Sequence, residues 1–382
     1  MSKQKITNAM IEAVNSSVLS GALPAVDGSA LTGLSGGVDT KSASDPATDT
    51  NPSAVGHVWL NTTSGEMFVC TDATTDENVW FNVGGGEGDV QIKPFGGRGL
   101  GTVSGYTSGG YTTSTTLNVI DKFSFTTDGN ATDVGDLTVN RYSPTGQSSS
   151  THGYTSGGHP ATNIIDKFSF TTDGNATDVG DLTVSRYNPA GQSSSTHGYS
   201  SGGQTPTTNV IDKFSFSVDG NATDVGDLTV SRYRLAGQSS STHGYSSGGG
   251  LPLSDVIDKF SFTTDGNAAD VGDLTVARYH AAGQSSTTHG YTSGGYSSSA
   301  TNVIDKFSFT TDGNATDVGN LTVSRRHIAG QSSSTHGYSS GGRTNDPAYI
   351  NVIDKFSFTT DENATDVGDL TVSRSHAAGQ QY

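Results

Sequence analysis

Residues 164–186 read IIDKFSFTTDGNATDVGDLTVSR, and the phrase VIDKFSF or IIDKFSF occurs six times in the chain. The aspartates of the six copies are Asp121, Asp166, Asp212, Asp258, Asp305 and Asp354, spaced by 45, 46, 46, 47 and 49 residues. In each unit VIDKFSF has strand composition, DGN is a hairpin turn signal, and VGDLTV reads as the returning strand. Working outward, GQSS and the HGY-(T/S)-SGG segment supply two more short strands. Four strands in a period of this length, without a helical stripe, predict the blades of a β-propeller. A β-helix needs shorter rungs, and helical solenoids need helices.

The phase of the array bears on how it closes. The first full strand is GYTSGG at 105–110, and the chain ends on AAGQQY at 377–382, which matches the start of a first strand. A propeller must join its first and last blades or leave strand edges exposed. The C-terminal residues are expected to supply the innermost strand of the first blade, with Gly99–Val103 as the alternative.

The order within each unit resembles a kelch repeat. A Gly-Gly doublet ends one strand (Gly109-Gly110, Gly157-Gly158 and their equivalents), an aromatic-bearing strand follows, and a later strand ends in Arg141, Arg186, Arg232, Arg278, Arg325 or Arg374. The departure is that Val134, Val179, Val225, Val271, Val318 and Val367 occupy the region where kelch repeats usually carry Trp. The expected fold is therefore all-β: a six-bladed kelch-like β-propeller over 93–382, a small N-terminal β-domain over 51–92, and a short helical or extended attachment segment over 1–50.

The longer phrase IDKFSFTTDGNATDVGDLTVSR resembles near-identical repeats in structural and tail-fibre-like proteins of marine tailed phages, including those of cyanobacteria. GALPAVDGSALTGL (21–34) and VGHVWLNTTSGEMFVCTDATTDENVWFNV (55–83) are similar to segments of phage fibre proteins. The resemblance implies a virion structural protein, made in the host cytoplasm and carried on the particle.

Composition sets bounds around this reading. Only 31% of the 382 residues are hydrophobic and 51 are Gly, which suits dense turns and half-buried strands. The net charge of −17 and the absence of a Lys/Arg run argue against nucleic acid as a partner. The opening MSKQKITNAMIEAV lacks the apolar core of a signal peptide, and no stretch approaches the ~20 apolar residues of a membrane span. Ile6, Met10, Ala13 and Val14 fall at helical spacing, so 5–16 is expected to form a short amphipathic helix. At ~12–15 residues such a helix is marginal alone. It needs a partner, either another virion protein or copies of this chain, as in a trimer. Trp59, Phe68, Trp80 and Phe81 are expected to form the core of a small β-meander, followed by a glycine linker at 84–88. Cys70, the single cysteine, reads as a small apolar strand residue.

Candidate chemistry is sparse. His152, His197, His243, His289 and His336 recur at one position, but a wide ring cannot converge on a metal, so they read as repeat architecture. The DGNATD loops lack the alternating carboxylates and distal Glu of an EF-hand. The strand Asp and the Arg of each unit either pair, within or between blades, or point to solvent. No nucleophile motif, phosphate loop, zinc motif or acid pair is present. No enzyme, cofactor or metal is expected.

The units differ chiefly in two stretches. One follows Gly-Gly (YTTSTTL, HPAT, QTPTT, GLPLS, YSSSAT, RTNDPAYI) and the other follows Arg (YSPT, YNPA, YRLA, YHAA, RHIA, SHAA). Strand alternation sends both to one face of the disc. Tyr142, Tyr187, Tyr233, Arg234, His280, Tyr296, Arg326, His327, Arg343 and Tyr349 give that face aromatic and basic groups suited to a host-surface glycan or protein. Drift in unconstrained loops gives the same pattern. Two other readings stay open: a purely architectural capsid or tail decoration, and a glycan-degrading enzyme, which lacks a visible acid pair.

Overall fold

The computed structural model describes residues 38–63, 66–84, 102–346 and 348–382. The helix expected around Ile6, Met10, Ala13 and Val14 lies outside them, as does the glycine run after Gly84. The chain divides into two compact units, 1–92 and 93–382. Among the described residues there is no helix, and the secondary structure is built of strands.

In the first unit β1 (Thr40–Ser42), β2 (Val58–Asn61), β3 (Met67–Asp72) and β4 (Val79–Gly84) form one sheet in sequence order. The β2–β4 part is the expected meander. The sheet also takes in β1, which pairs parallel to β2 (Thr40 beside Trp59) although the sequence places it in the attachment segment. Trp59 and Trp80 meet edge to face at 5.8 Å. Phe81 does not join that core: it is 57% exposed, because consecutive strand residues point to opposite faces. Cys70 is buried, as a small apolar strand residue should be.

The second unit is a succession of six four-stranded antiparallel sheets, a propeller-like all-β architecture. The second sheet shows the pattern: β8 (Thr145–Ser148), β9 (His152–Ser156), β10 (Ile164–Ser169) and β11 (Thr177–Asp181). The first sheet consists of β5 (Ser104–Tyr111), β6 (Thr116–Ser124), β7 (Thr132–Asp136) and the C-terminal strand Ala378–Gln381. That last strand pairs antiparallel with β5, Gln380 opposite Tyr106. The C-terminal strand therefore completes the first sheet; of the alternative, Gly99–Val103, residues 99–101 lie outside the described residues.

Each sheet is covered on both sides, so both sets of alternating side chains in β10 are used. Ile165 is buried with Tyr154 and Leu182 against Phe214 of the following sheet. Phe168 faces backward, beside Tyr106 of the preceding one. Gly153 lies directly under the Phe168 ring, where a Cβ would overlap it. Val134, Val179, Val225, Val271, Val318 and Val367 pack against these clusters between sheets.

The strand Asp and the Arg do pair; the Arg does not end a strand, as expected, but lies in the link from one sheet to the next, and its Asp belongs to that next sheet. Arg141 meets Asp166 at 2.7 Å, Arg186 meets Asp212 at 2.7 Å, and the series ends with Arg374 on Asp121 at 2.9 Å. Both partners are essentially free of solvent in all six copies. Each carboxylate is fully engaged: Asp166 also accepts from Thr138 N at 3.0 Å and Thr138 Oγ1 at 2.6 Å. Burial lowers the Arg141 pKa, and the charge of Asp166 opposes that shift. The Arg backbone matters too. The second glycine of each doublet donates to it, as Gly158 N does to Arg186 O at 2.9 Å. The doublet takes left-handed φ values of 66° and 125° at Gly157 and Gly158, which favour glycine.

Candidate functional site

The two variable stretches of each unit are brought together by short backbone bridges. Tyr142 pairs with His159, Tyr187 with Gln204, Tyr233 with Gly250, Tyr279 with Tyr296, and Arg326 with Arg343. One residue further on lie Ser143, Asn188, Arg234, His280, His327 and His376, all with left-handed φ between 55° and 63°. Their backbones form a closed ring. Asn188 N donates to Ser143 O at 2.8 Å, Arg234 to Asn188 at 2.8 Å, His280 to Arg234 at 3.0 Å, His327 to His280 at 2.8 Å and His376 to His327 at 3.0 Å; Ser143 completes the circle on His376 O at 2.7 Å. With the backbone groups spent on one another, the side chains of this ring line a central mouth.

All ten expected face residues lie in this loop cluster. Tyr142 packs on His159 at 4.7 Å and on the edge of His376 at 5.6 Å; Tyr187 meets His159 at 5.0 Å. Arg234 stacks over Tyr233 at 4.8 Å and Tyr279 at 5.3 Å. Arg326 covers Tyr296 at 4.2 Å, and Arg343 covers Tyr349 at 5.4 Å. The face is less open than loop positions suggest. Tyr233 is 3% and His280 7% exposed, while Tyr142, Tyr187, Tyr296, Arg234, Arg326, His327, Arg343 and Tyr349 are half-buried.

His280, His327 and His376, which no local motif in the sequence brings together, meet at this mouth. Their ligating nitrogens lie within 4.8 Å of one another. The His327 ring sits 3.5 Å from each neighbour's centroid, and His280 and His376 are 5.5 Å apart. Burial, then the charges of Arg234, Arg343 and Arg326, hold the His376 pKa down to about 3. Burial and His376, with Arg234 and Arg343 behind them, push His327 well below the usual imidazole range. The signal was present: YHAA, RHIA and SHAA carry His in the same column. Tyr279, Tyr111 and His159 are further members of the face that the sequence reading passed over.

The ring of His152 bonds through Nδ1 to Thr151 Oγ1 at 2.8 Å, and the other four copies repeat this contact. No protein-family model and no curated protein matches the chain.

Proposed function

We propose that this chain is a phage virion structural protein, a tail-fibre or particle-surface fibre component. In this reading residues 93–382 are a six-bladed kelch-like β-propeller that binds a host-surface glycan or protein. The observation that carries the binding role is the gathering of the variable loops on one face. The stretches that distinguish one unit from the next are paired by bridges and surround one mouth. The invariant framework, including the interior Arg–Asp pairs, lies elsewhere. Half-buried Tyr and Arg side chains stacked on one another, Arg326 on Tyr296 and Arg343 on Tyr349, are held in place before a ligand arrives, which lowers the ordering cost of binding. Support for the phage assignment comes from the repeat phrase and the N-terminal phrases quoted above. The segment around Ile6, Met10, Ala13 and Val14 is the proposed attachment point to virion partners or to other copies.

Antibodies against the repeat unit test the virion role. They should label fibres on purified particles in electron micrographs and slow adsorption to cells. Label confined to the soluble lysate, with bare particles, would contradict it.

A further inference from the structure

The charges of the repeat unit are distributed unevenly. Six lysines are tied to aspartates of neighbouring sheets, as Lys167 is to Asp219 at 2.6 Å. Six arginines are locked in the buried pairs. Among the described residues of this unit, the remaining cations are Arg234, Arg326 and Arg343, and none forms an ion pair. All three belong to the variable-loop face, and all three act electrostatically on His376. No Asp or Glu lines the mouth. His280 Nε2 and His327 Nδ1 are buried without a hydrogen-bond partner, and so are the Nε atoms of the three arginines, as they are in the six paired ones. On a chain of net charge −17, this is a concentrated positive site that lacks an acceptor.

Three histidines this close suggest a metal, but the geometry disfavours one. Imidazoles bound tetrahedrally to one ion at about 2.0–2.1 Å would place their nitrogens about 3.3 Å and their ring centres about 5 Å apart. His280 and His376, at 5.5 Å, approach that arrangement; His327, wedged 3.5 Å from both, does not. A divalent cation would also sit beside three guanidinium groups with no carboxylate to offset them. An anion meets the opposite conditions. Guanidinium N–H groups match the oxygens of sulfate, phosphate and carboxylate, and neutral imidazoles supply further N–H donors.

We propose that the mouth ringed by Arg234, His280, His327 and His376, with Arg326 and Arg343 beside it, is an oxyanion site that takes a sulfate, phosphate or carboxylate group. The group arrives either as a free ion or on an acidic polysaccharide. The site goes beyond the attachment reading and stands even if the protein attaches to no cell.

Calorimetric titration of the full chain with sodium sulfate and with inorganic phosphate, at neutral pH and low ionic strength, tests it. One saturable anion per chain is expected. Binding should weaken at least tenfold in Arg234→Gln and also in Arg326→Gln/Arg343→Gln, the second variant serving if the first misfolds. Dextran sulfate, compared with neutral dextran, separates the sources. Polymer binding far tighter than the free ion favours a polysaccharide, and no gain over the ion favours the ion; both outcomes support the site. Absence of saturable binding by any anion overturns the proposal, as does binding unchanged in both variants. A single zinc ion bound in place of an anion, and lost in His327→Ala, also overturns it.

Discussion

Arg186 lies in the link between the second and third sheets and Asp212 in the third sheet, yet neither has solvent to fall back on. The pair is closed by Ser200 O, which accepts from Arg186 at 2.9 Å, and by Thr183, which donates to Asp212 through N at 3.0 Å and Oγ1 at 2.6 Å. Such a pair gives little net stability over apolar residues, because desolvation offsets its attraction. A mispaired sheet would leave an ion alone in the interior. Removing one partner should therefore be severe. Asp212→Asn or Arg186→Met is expected to cost about 3–5 kcal/mol by urea denaturation, while the double variant Arg186→Met/Asp212→Leu recovers much of the loss. Single variants within about 0.5 kcal/mol of the parent would contradict this account. The two residues were visible in the sequence as a repeated Asp and a repeated Arg, but whether they paired was not. The contact spans the boundary between units, and the repeat is the same whichever neighbour is used. The histidine cluster was hidden for a related reason. His280, His327 and His376 are 47 and 49 residues apart in sequence, and only the closed backbone ring brings their rings together.

The strands of the repeat unit were legible because each carries a strong local signal: a DGN turn, a Gly-Gly end, and alternation in VIDKFSF. In the small sheet, TKS at 40–42 has no apolar alternation, so the parallel strand β1 left no such mark. The C-terminal strand was legible from the phase of the array. It is tied to β5 by pairing and to the rest of the unit by side chains. Gln380 Nε2 donates to Tyr154 O at 3.0 Å, and the Tyr382 ring stacks on Phe170 at 5.4 Å. Gly379 also sits where a Cβ would overlap the Gly330 carbonyl, so the strand is part of the innermost close packing. Deleting residues 377–382 removes these contacts and exposes β5 as the edge of the first sheet of the repeat array. Thermal unfolding should then begin well below the parent transition, with earlier proteolysis near residue 104. A melting curve superimposable on the parent would contradict the closure.

At the scale of the whole repeat unit, regularity and variation occupy different places. Invariant pairs, glycines and aromatic stacks join each sheet to the next, and the last Arg returns to the first Asp. With the framework so repetitive, differences between units are tolerated where they do not disturb it, and those are chiefly the loops of one face. The opposite side carries the DGNATD turns, where Asp133 and Asp317 are exposed and accept from their own local backbone, Gly135 N and Gly319 N. The measurement that bears most directly on the account is therefore a comparison of faces. Purified protein carrying Tyr187→Ala, Tyr296→Ala and Arg343→Ala, all half-buried positions, is set against protein carrying Asp133→Ala and Asp317→Ala. Both should retain the parent's circular dichroism, and binding of each to host cells is then read by fluorescence. At least a tenfold loss is expected for the first protein and none for the second. Loss in the second with parental binding in the first would contradict it.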